Sequence, residues 1–287
     1  MIYLFLSIFF STLILIIFRM FKRYGINTFQ AIVFNYIIAF VVGFGIYGDQ
    51  WQSKHLHEGS WIPFAFIIGG LFISLFLLMG KSSQENGIGI TSVTVKMSLA
   101  IPVTMAIFLY QEQVYFTKIT GIILALIGVF LITFRRKKKR KVGAPKNIFF
   151  LLILFVGSGV LDTLLNYVER VASGDLSLAL FSAIGFGIAG IIGIVVLTIR
   201  LFMGTQRLQF RNVLGGIVLG VPNFFSIYYL MMAVRQDLDD SVTYALNNVG
   251  IVMASFLLGI VLFRETTTVL KITGVAVSIA SILLLTL

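Results

Sequence analysis

Residues 110–122 read YQEQVYFTKITGI, and residues 263–275 read FRETTTVLKITGV. When these stretches are aligned without a gap, Glu112 falls on Glu265, and Lys-Ile-Thr-Gly at 118–121 falls on the same residues at 271–274. In the same alignment, the apolar stretches between about residues 66 and 134 fall on those between residues 219 and 287. A repeat in such a hydrophobic chain is typical of transporters, in which two copies of one helical bundle enclose a central site.

The composition indicates a membrane protein. Hydrophobic residues make up 59% of the chain and charged residues 11%, which excludes a soluble globular domain of this length. Several apolar runs are long enough to cross about 30 Å of hydrocarbon as helices. They lie near residues 2–18, 28–47, 62–79, 88–110, 116–134, 147–165, 176–202, 213–233, 241–263 and 269–287.

These runs predict an all-α integral membrane protein with ten transmembrane helices. Two five-helix repeats, at residues 1–134 and 147–287, are joined by a basic linker at 135–146. Five crossings invert the second copy relative to the first. Inverted halves of this kind can exchange conformations and open one central cavity to each side of the membrane in turn.

Basic residues predict the orientation. They are concentrated in the loops after odd-numbered spans, so the positive-inside rule places those loops in the cytoplasm and both termini outside. The longest basic run, RRKKKRK at Arg135–Lys141, is interpreted as a topology determinant that contacts anionic lipids. Nucleic-acid binding is not expected, because the helices leave no fold to read bases. The predicted location is the inner, cytoplasmic membrane, as a multi-pass protein.

Two charged residues lie well inside apolar runs rather than near their ends. Lys96 is in helix four, and Asp162 is in helix six with Asn166 one turn later. A charge at the centre of a membrane helix costs about 2.5–3.5 kcal/mol on insertion scales, so exposure to lipid is not expected. Two interpretations remain open: Lys96 lines a substrate cavity, or it forms a structural ion pair with Asp162 and touches no substrate.

Uncharged polar residues add candidates for substrate binding. They could equally hydrogen-bond neighbouring helices or, for the tyrosines, anchor helices at the membrane interface. The candidates are Asn35 in helix two, Asn223, Tyr228 and Tyr229 in helix eight, and Tyr244, Asn247 and Asn248 in helix nine.

Helix four has two polar faces. Thr91, Thr94, Ser98 and Pro102 fall on one stripe at helical spacing, and Lys96 points nearly the opposite way. Small polar residues suit close helix packing, which would leave Lys96 to the cavity. In the repeat alignment, however, the polar stripe of helix nine corresponds to the Thr-Ser face of helix four. Whether the Thr-Ser face or the Lys96 face lines the cavity therefore stays open.

The repeat motif resembles the drug/metabolite transporter superfamily, in its EamA-like branch of ten-helix transporters. The residues that carry the resemblance are Ala100-Ile101-Pro102-Val103, Gln111-Glu112, Gly121 and Gly128, with Glu265 and Gly274 in the second copy. The resemblance covers essentially the whole chain. The chain departs from the family pattern at Gln111 and Arg264, where glycine is usual, and at Ser255, where the first copy has its proline.

The resemblance implies a secondary transporter of small metabolites, often an exporter of amino acids, with no ATP site and no cofactor. Organophosphate translocators of the superfamily bind an anionic group with a lysine in helix four, and Lys96 is similarly placed. Asn247 and Asn248 stand where those relatives have basic residues, which favours a carboxylate over a phosphate. Asp162 resembles in position the membrane carboxylate of small multidrug transporters.

We therefore expect an exporter whose substrate carries a carboxylate held near Lys96, with Asp162 taking and releasing a coupled proton. In the alternative, Asp162 binds a cationic drug and Lys96 is only its resting partner. The transporter is expected to act as a monomer or homodimer.

An enzyme is a remote alternative. The stretch Asp237-Leu238-Asp239-Asp240 is similar to the Mg²⁺-binding clusters of membrane prenyltransferases, but the second cluster that they need is missing. His55, His57 and Glu58 lie together in a polar loop, where solvation is a simpler interpretation than zinc binding. The chain has no cysteine, so thiolate metal sites and disulfides are excluded. No enzymatic activity and no bound metal are expected.

Overall fold

The structure is a computed structural model that describes residues 1–51, 60–110, 115–133, 148–172, 176–236 and 240–286. Within these ranges the regular secondary structure is entirely helical, which confirms the predicted all-α class. Some predictions fall outside the described residues. These are the ones that concern Glu112, the basic run Arg135–Lys141 with the linker around it, the loop with His55, His57 and Glu58, and Asp237 to Asp239.

The helix labels follow the order of the predicted spans, and the fourth span consists of two consecutive helices. The helices are α1 (Ile2–Arg23), α2 (Thr28–Tyr47), α3 (Ile62–Glu85), α4a (Ile88–Met97), α4b (Ala100–Tyr110), α5 (Phe116–Thr133), α6 (Ile148–Tyr167), α7 (Leu178–Phe202), α8 (Phe210–Val234), α9 (Asp240–Phe263) and α10 (Val269–Thr286). A 3-10 turn extends α2, and a π-helical turn extends α6.

The chain is a multi-pass membrane protein by the length and composition of its helices. Eight helical segments, with α4a and α4b taken together, are long and apolar enough to span a membrane. The helices α5 and α10 are apolar but shorter. The arrangement of ten spans as two inverted repeats stays a prediction.

Pro102 explains why the fourth span is broken. Proline has no backbone N–H, and its ring clashes with the carbonyl four residues earlier, which here belongs to Ser98. The helix is interrupted at Ser98 and Leu99, where the Ile101 amide donates to the Ser98 carbonyl at 2.9 Å. Lys96 therefore lies in the last turn of α4a.

Glycines allow α8 to pack directly on the backbone of α2. A Cβ atom added at Gly216 would lie 2.7 Å from the Ala31 carbonyl oxygen, and one at Gly220 would lie 2.8 Å from the Asn35 carbonyl oxygen. Only glycine fits at this spacing, which is the small-residue pattern of closely packed membrane helices. The contact holds α2 directly against α8.

The helices α5 and α10 pack antiparallel through a reciprocal set of contacts. A Cβ atom at Gly121 would lie 2.9 Å from the Leu285 side chain, and one at Gly274 would lie 2.6 Å from the Ile132 side chain. Since Gly121 aligns with Gly274 and Ile132 with Leu285 in the repeat, each contact is the image of the other. The Ser281 hydroxyl also donates to the Gly121 carbonyl at 2.8 Å.

Glu265 ties the segment after α9 to the start of α4a. Its Oε1 atom accepts a hydrogen bond from the Ile88 amide at 2.8 Å, and a Cβ atom at Gly87 would collide with its carboxylate. Gly87 has a φ of 101°, which favours glycine independently. A carboxylate at the first turn of a helix satisfies an otherwise unpaired amide and complements the helix dipole.

Glu265→Ala should therefore lower the unfolding midpoint in detergent, because the amide of the buried Ile88 loses its acceptor at a cost of about 1–3 kcal/mol. Glu265→Gln keeps an acceptor and should recover most of the loss. A Glu265→Ala protein that melts with the wild type would show that this contact does not hold α4a in place.

Candidate functional site

A cavity of about 220 Å³ lies among the helices, and seven segments contribute to its wall. The charged and polar lining residues are Tyr36, Lys96, Ser158, Asp162, Asn223 and Asn248. The apolar lining residues are Phe72, Leu75, Phe76, Met79, Val95, Leu154, Leu161, Phe186 and Ile227. An interior cavity with an apolar wall and a few convergent polar groups is the usual form of a small-molecule site.

Lys96 and Asp162 place opposite charges on this wall. Both side chains are half-buried, and they are close enough to attract each other electrostatically. In the described part of the chain, no salt bridge within 4.0 Å joins them. The two opposite charges face one cavity, so a ligand with charges of its own can interact with either of them.

The end of α4a places the lysine favourably. Lys96 occupies the last turn of this helix, the end at which the helix dipole favours a positive charge. The break caused by Pro102 thus creates a helix terminus beside the cavity. An unbroken helix would offer no such compensation at this depth.

Neutral hydrogen-bonding groups lie beside the charges. Asn223 is only 6% exposed, and its Nδ2 atom has no partner among the described residues. A buried amide without a partner is uncommon in proteins, since leaving it unsatisfied costs about 1–3 kcal/mol. Together with Asn248 and Ser158, Asn223 gives the cavity donors and acceptors for an uncharged part of a ligand.

Aromatic rings form a rigid part of the wall. The Phe72 and Phe186 rings pack with centroids 4.9 Å apart, and Tyr36 lies between Phe76 and Phe186 at 5.5 and 5.7 Å. The Tyr36 hydroxyl donates to the Phe72 carbonyl at 2.7 Å. Because this bond occupies its hydroxyl hydrogen, Tyr36 presents mainly an aromatic surface to the cavity.

Of the predicted substrate-binding residues, three line the cavity and five, Tyr229 among them, do not. Lys96, Asn223 and Asn248 line it, as does the predicted proton carrier Asp162. Asn35 and Asn247 are buried elsewhere, at 0% and 2% exposure. Tyr228 lines a separate small space beside Tyr47, and Tyr244 is 41% exposed.

The structure assigns the two faces of helix four. The Thr91 hydroxyl hydrogen-bonds Ser82 of α3 at 2.7 Å, and Ser255 of α9 donates to Ser92. Thr91, Thr94 and Ser98 are at most 1% exposed. The small polar face therefore packs, and Lys96 is left to the cavity.

Sequence reasoning missed Ser158, Tyr36 and the phenylalanines of the wall. Ser158 precedes Asp162 by four residues, so helical spacing already places both on one face. Tyr36 and the phenylalanines lie in uniformly apolar runs, where the sequence carries no signal to separate a cavity wall from a packed core. In the described ranges, no group of three or more His, Cys, Asp or Glu side chains could hold a metal ion.

Two known proteins resemble this chain over nearly its whole length, but they do not show which family it belongs to. An uncharacterized protein of Haemophilus influenzae is 26% identical over 277 residues, which cover 95% of this chain and 93% of that protein. A solved crystal structure of another protein has a TM-score of 0.57 to this chain at 12% identity. The match covers 97% of this chain and 96% of the other chain, and it shows a likeness of fold alone. No protein-family model matches the chain.

The coupling between the two charges can be measured by a double-mutant cycle. Lys96→Ala and Asp162→Ala should each destabilise the protein, because each leaves the opposite charge without its partner. The double variant should lose less than the sum of the two single losses by about 1 kcal/mol, near the lower end for interacting residues because both side chains are half-buried. Unfolding midpoints in detergent report the losses, and strictly additive values would contradict the coupling.

Proposed function

We propose that this protein is a secondary transporter, working as an exporter, of a small metabolite that carries a carboxylate, such as an amino acid. The observation that carries the proposal is a lysine and an aspartate on one cavity, enclosed by helices long enough to span a membrane. Charges at this depth are costly to keep and are typical of substrate and proton pathways. The resemblance of the repeat motif to EamA-like transporters agrees with this function.

The charges suit different tasks. Lys96 would bind the substrate carboxylate through a charge-assisted hydrogen bond, which is stronger than a neutral one. Asp162 would exchange a proton and so link transport to a proton gradient. Asn223, Asn248 and the aromatic wall would hold the remainder of the substrate by hydrogen bonds and apolar contact.

Alternating access would follow from the inverted repeat. The reciprocal contacts of Gly121 with Leu285 and of Gly274 with Ile132 support a two-fold relation between the fifth and tenth spans. At the cavity, Val95 and its alignment partner Asn248 both line the wall.

We place the protein in the inner membrane, with ten spans and loops after odd-numbered helices in the cytoplasm.

A second candidate function is the export of cationic drugs through Asp162. The aromatic rings of Tyr36, Phe72, Phe76 and Phe186 favour it, because ring faces attract cations. In that case Lys96 would be only the resting partner of Asp162.

Ligand binding separates the two functions. We expect amino acids or dicarboxylates to raise the unfolding midpoint of the purified protein, and lipophilic cations to have no effect. Lys96→Ala should weaken carboxylate binding by about 10- to 100-fold, as the loss of a charge-assisted hydrogen bond predicts.

The matched control is Lys81→Ala, which removes an exposed lysine outside the cavity and should bind as the wild type does. A midpoint shift with cations only, retained in Lys96→Ala, would overturn the carboxylate proposal and favour drug export.

The proton-linked role of Asp162 predicts a pH effect. In vesicles, the wild-type protein should transport a carboxylate that raises its unfolding midpoint, and the transport rate should depend on an imposed pH difference. Asp162→Asn keeps the shape of the side chain but cannot release a proton, so transport should lose this dependence. An Asp162→Asn protein with wild-type rate and unchanged pH dependence would show that Asp162 does not couple transport to protons.

A further inference from the structure

A second, larger cavity of about 470 Å³ lies away from the first, where the turn between α1 and α2 meets the connection between α7 and α8. Both connections join membrane-spanning helices, so the cavity lies at a membrane surface. Lys22, Arg207 and Arg211 line it, and none of its lining residues is acidic. We refer to it as the corner pocket.

The three cations of the corner pocket have no carboxylate partner in the described part of the chain. Their side chains are exposed, and within the described ranges they make a single hydrogen bond, which the Arg211 Nε donates to the Gln209 side chain at 2.8 Å. Three positive charges around one concave space repel one another unless an anion lies between them. The guanidinium groups of Arg207 and Arg211 are also free to bind a planar or tetrahedral oxyanion with two hydrogen bonds each.

The floor of the corner pocket is a buried network of amides. Asn212 donates to the Gln30 side chain at 2.7 Å, and Gln30 donates to the Arg207 carbonyl at 3.0 Å. The Asn212 side chain also accepts from the Asn27 amide at 2.9 Å. Gln30 and Asn212 are each only 1% exposed.

These amides satisfy one another, so they rigidify the floor rather than compete for an anion. They fix the backbone at Arg207 beside α2, although the two are far apart in sequence. The cations around the pocket are thus held on a preformed base.

Two helix N-termini add to the positive potential. The helices α2 and α8 begin at Thr28 and Phe210, next to the lining residues Asn27 and Gln209. The first turn of a helix carries partial positive charge and attracts phosphate groups. This effect reinforces the three side-chain cations.

We infer that the corner pocket binds a phosphate group, either the headgroup of an anionic phospholipid or a soluble phosphate ester. Basic pockets between membrane helices on the cytoplasmic side suit anionic headgroups, and the positive-inside rule places this corner there. A bound phosphate would join the α1–α2 turn to the α7–α8 connection and stabilise their contact. The site does not depend on the transported substrate.

The test uses the full-length protein, purified in a neutral detergent and stripped of lipid. Unfolding midpoints are measured with dioleoyl phosphatidylglycerol, with glycerol 3-phosphate, and with dioleoyl phosphatidylcholine as the zwitterionic control. At about 100 times the Kd, binding to the native state should raise the midpoint by roughly 5–10 °C. The double variant Arg207→Gln with Arg211→Gln should lose this shift, since each lost contact weakens binding by about 10- to 100-fold.

Arg23→Gln with Arg235→Gln removes the same charge from exposed arginines outside the pocket and should keep the shift. If the first double variant does not fold, Lys22→Gln and Arg211→Lys serve instead. Arg211→Lys keeps the charge without the two-pronged geometry and should show a reduced shift.

A shift with phosphatidylglycerol alone assigns the pocket to a lipid headgroup, and a shift with glycerol 3-phosphate assigns it to a soluble ester. No phosphate-dependent shift, or an equal loss in both double variants, would overturn the site.

Discussion

The cost of placing a charge within a membrane-spanning bundle is the constraint on which this structure depends. A lysine and an aspartate in the spans would destabilise the fold if they faced lipid. The structure places both on one interior cavity, where each reduces the cost of the other. The remaining wall is mostly apolar, so the attraction between the charges acts in surroundings of low polarity.

The backbone around the cavity serves the same need. Pro102 interrupts the fourth span, so α4a ends one residue after Lys96, at the helix end where the dipole favours a positive charge. At the other end of α4a, Glu265 accepts from the Ile88 amide. A short helix with a cation near its last turn and a carboxylate at its first turn has both ends of its dipole compensated. The helix is only ten residues long, and most of its residues are buried, so packing against its neighbours stabilises it as well.

Much of the fold could be predicted because the apolar runs are long and sharply bounded. The predicted run 28–47 coincides with α2, and 88–110 covers α4a and α4b. The place of Lys96 and Asp162 on an interior cavity was predictable, because a charge in an apolar run avoids lipid. The break in the fourth span was not predicted, although Pro102 carries the signal for it in its missing N–H.

The finer features of the site depend on contacts that no local pattern encodes. Asn35 and Asn223 look alike in sequence, yet Asn223 lines the cavity and Asn35 does not. The choice is made by the close approach of α8 to α2 at Gly216 and Gly220. The amide network of the corner pocket likewise joins Gln30 to Asn212 across 182 residues of sequence.

Alternating access of the cavity is the central claim, and the absence of cysteine from the chain allows a direct measurement. Ser158→Cys changes one lining residue by a single atom, and Ser278→Cys places a control thiol at a site with 0% exposure. A membrane-impermeant thiol reagent is applied to right-side-out and to inverted vesicles. We expect the thiol at 158 to react from both sides of the membrane and the thiol at 278 to react from neither. Reaction of the thiol at 158 from one side only, or from neither, would contradict alternating access.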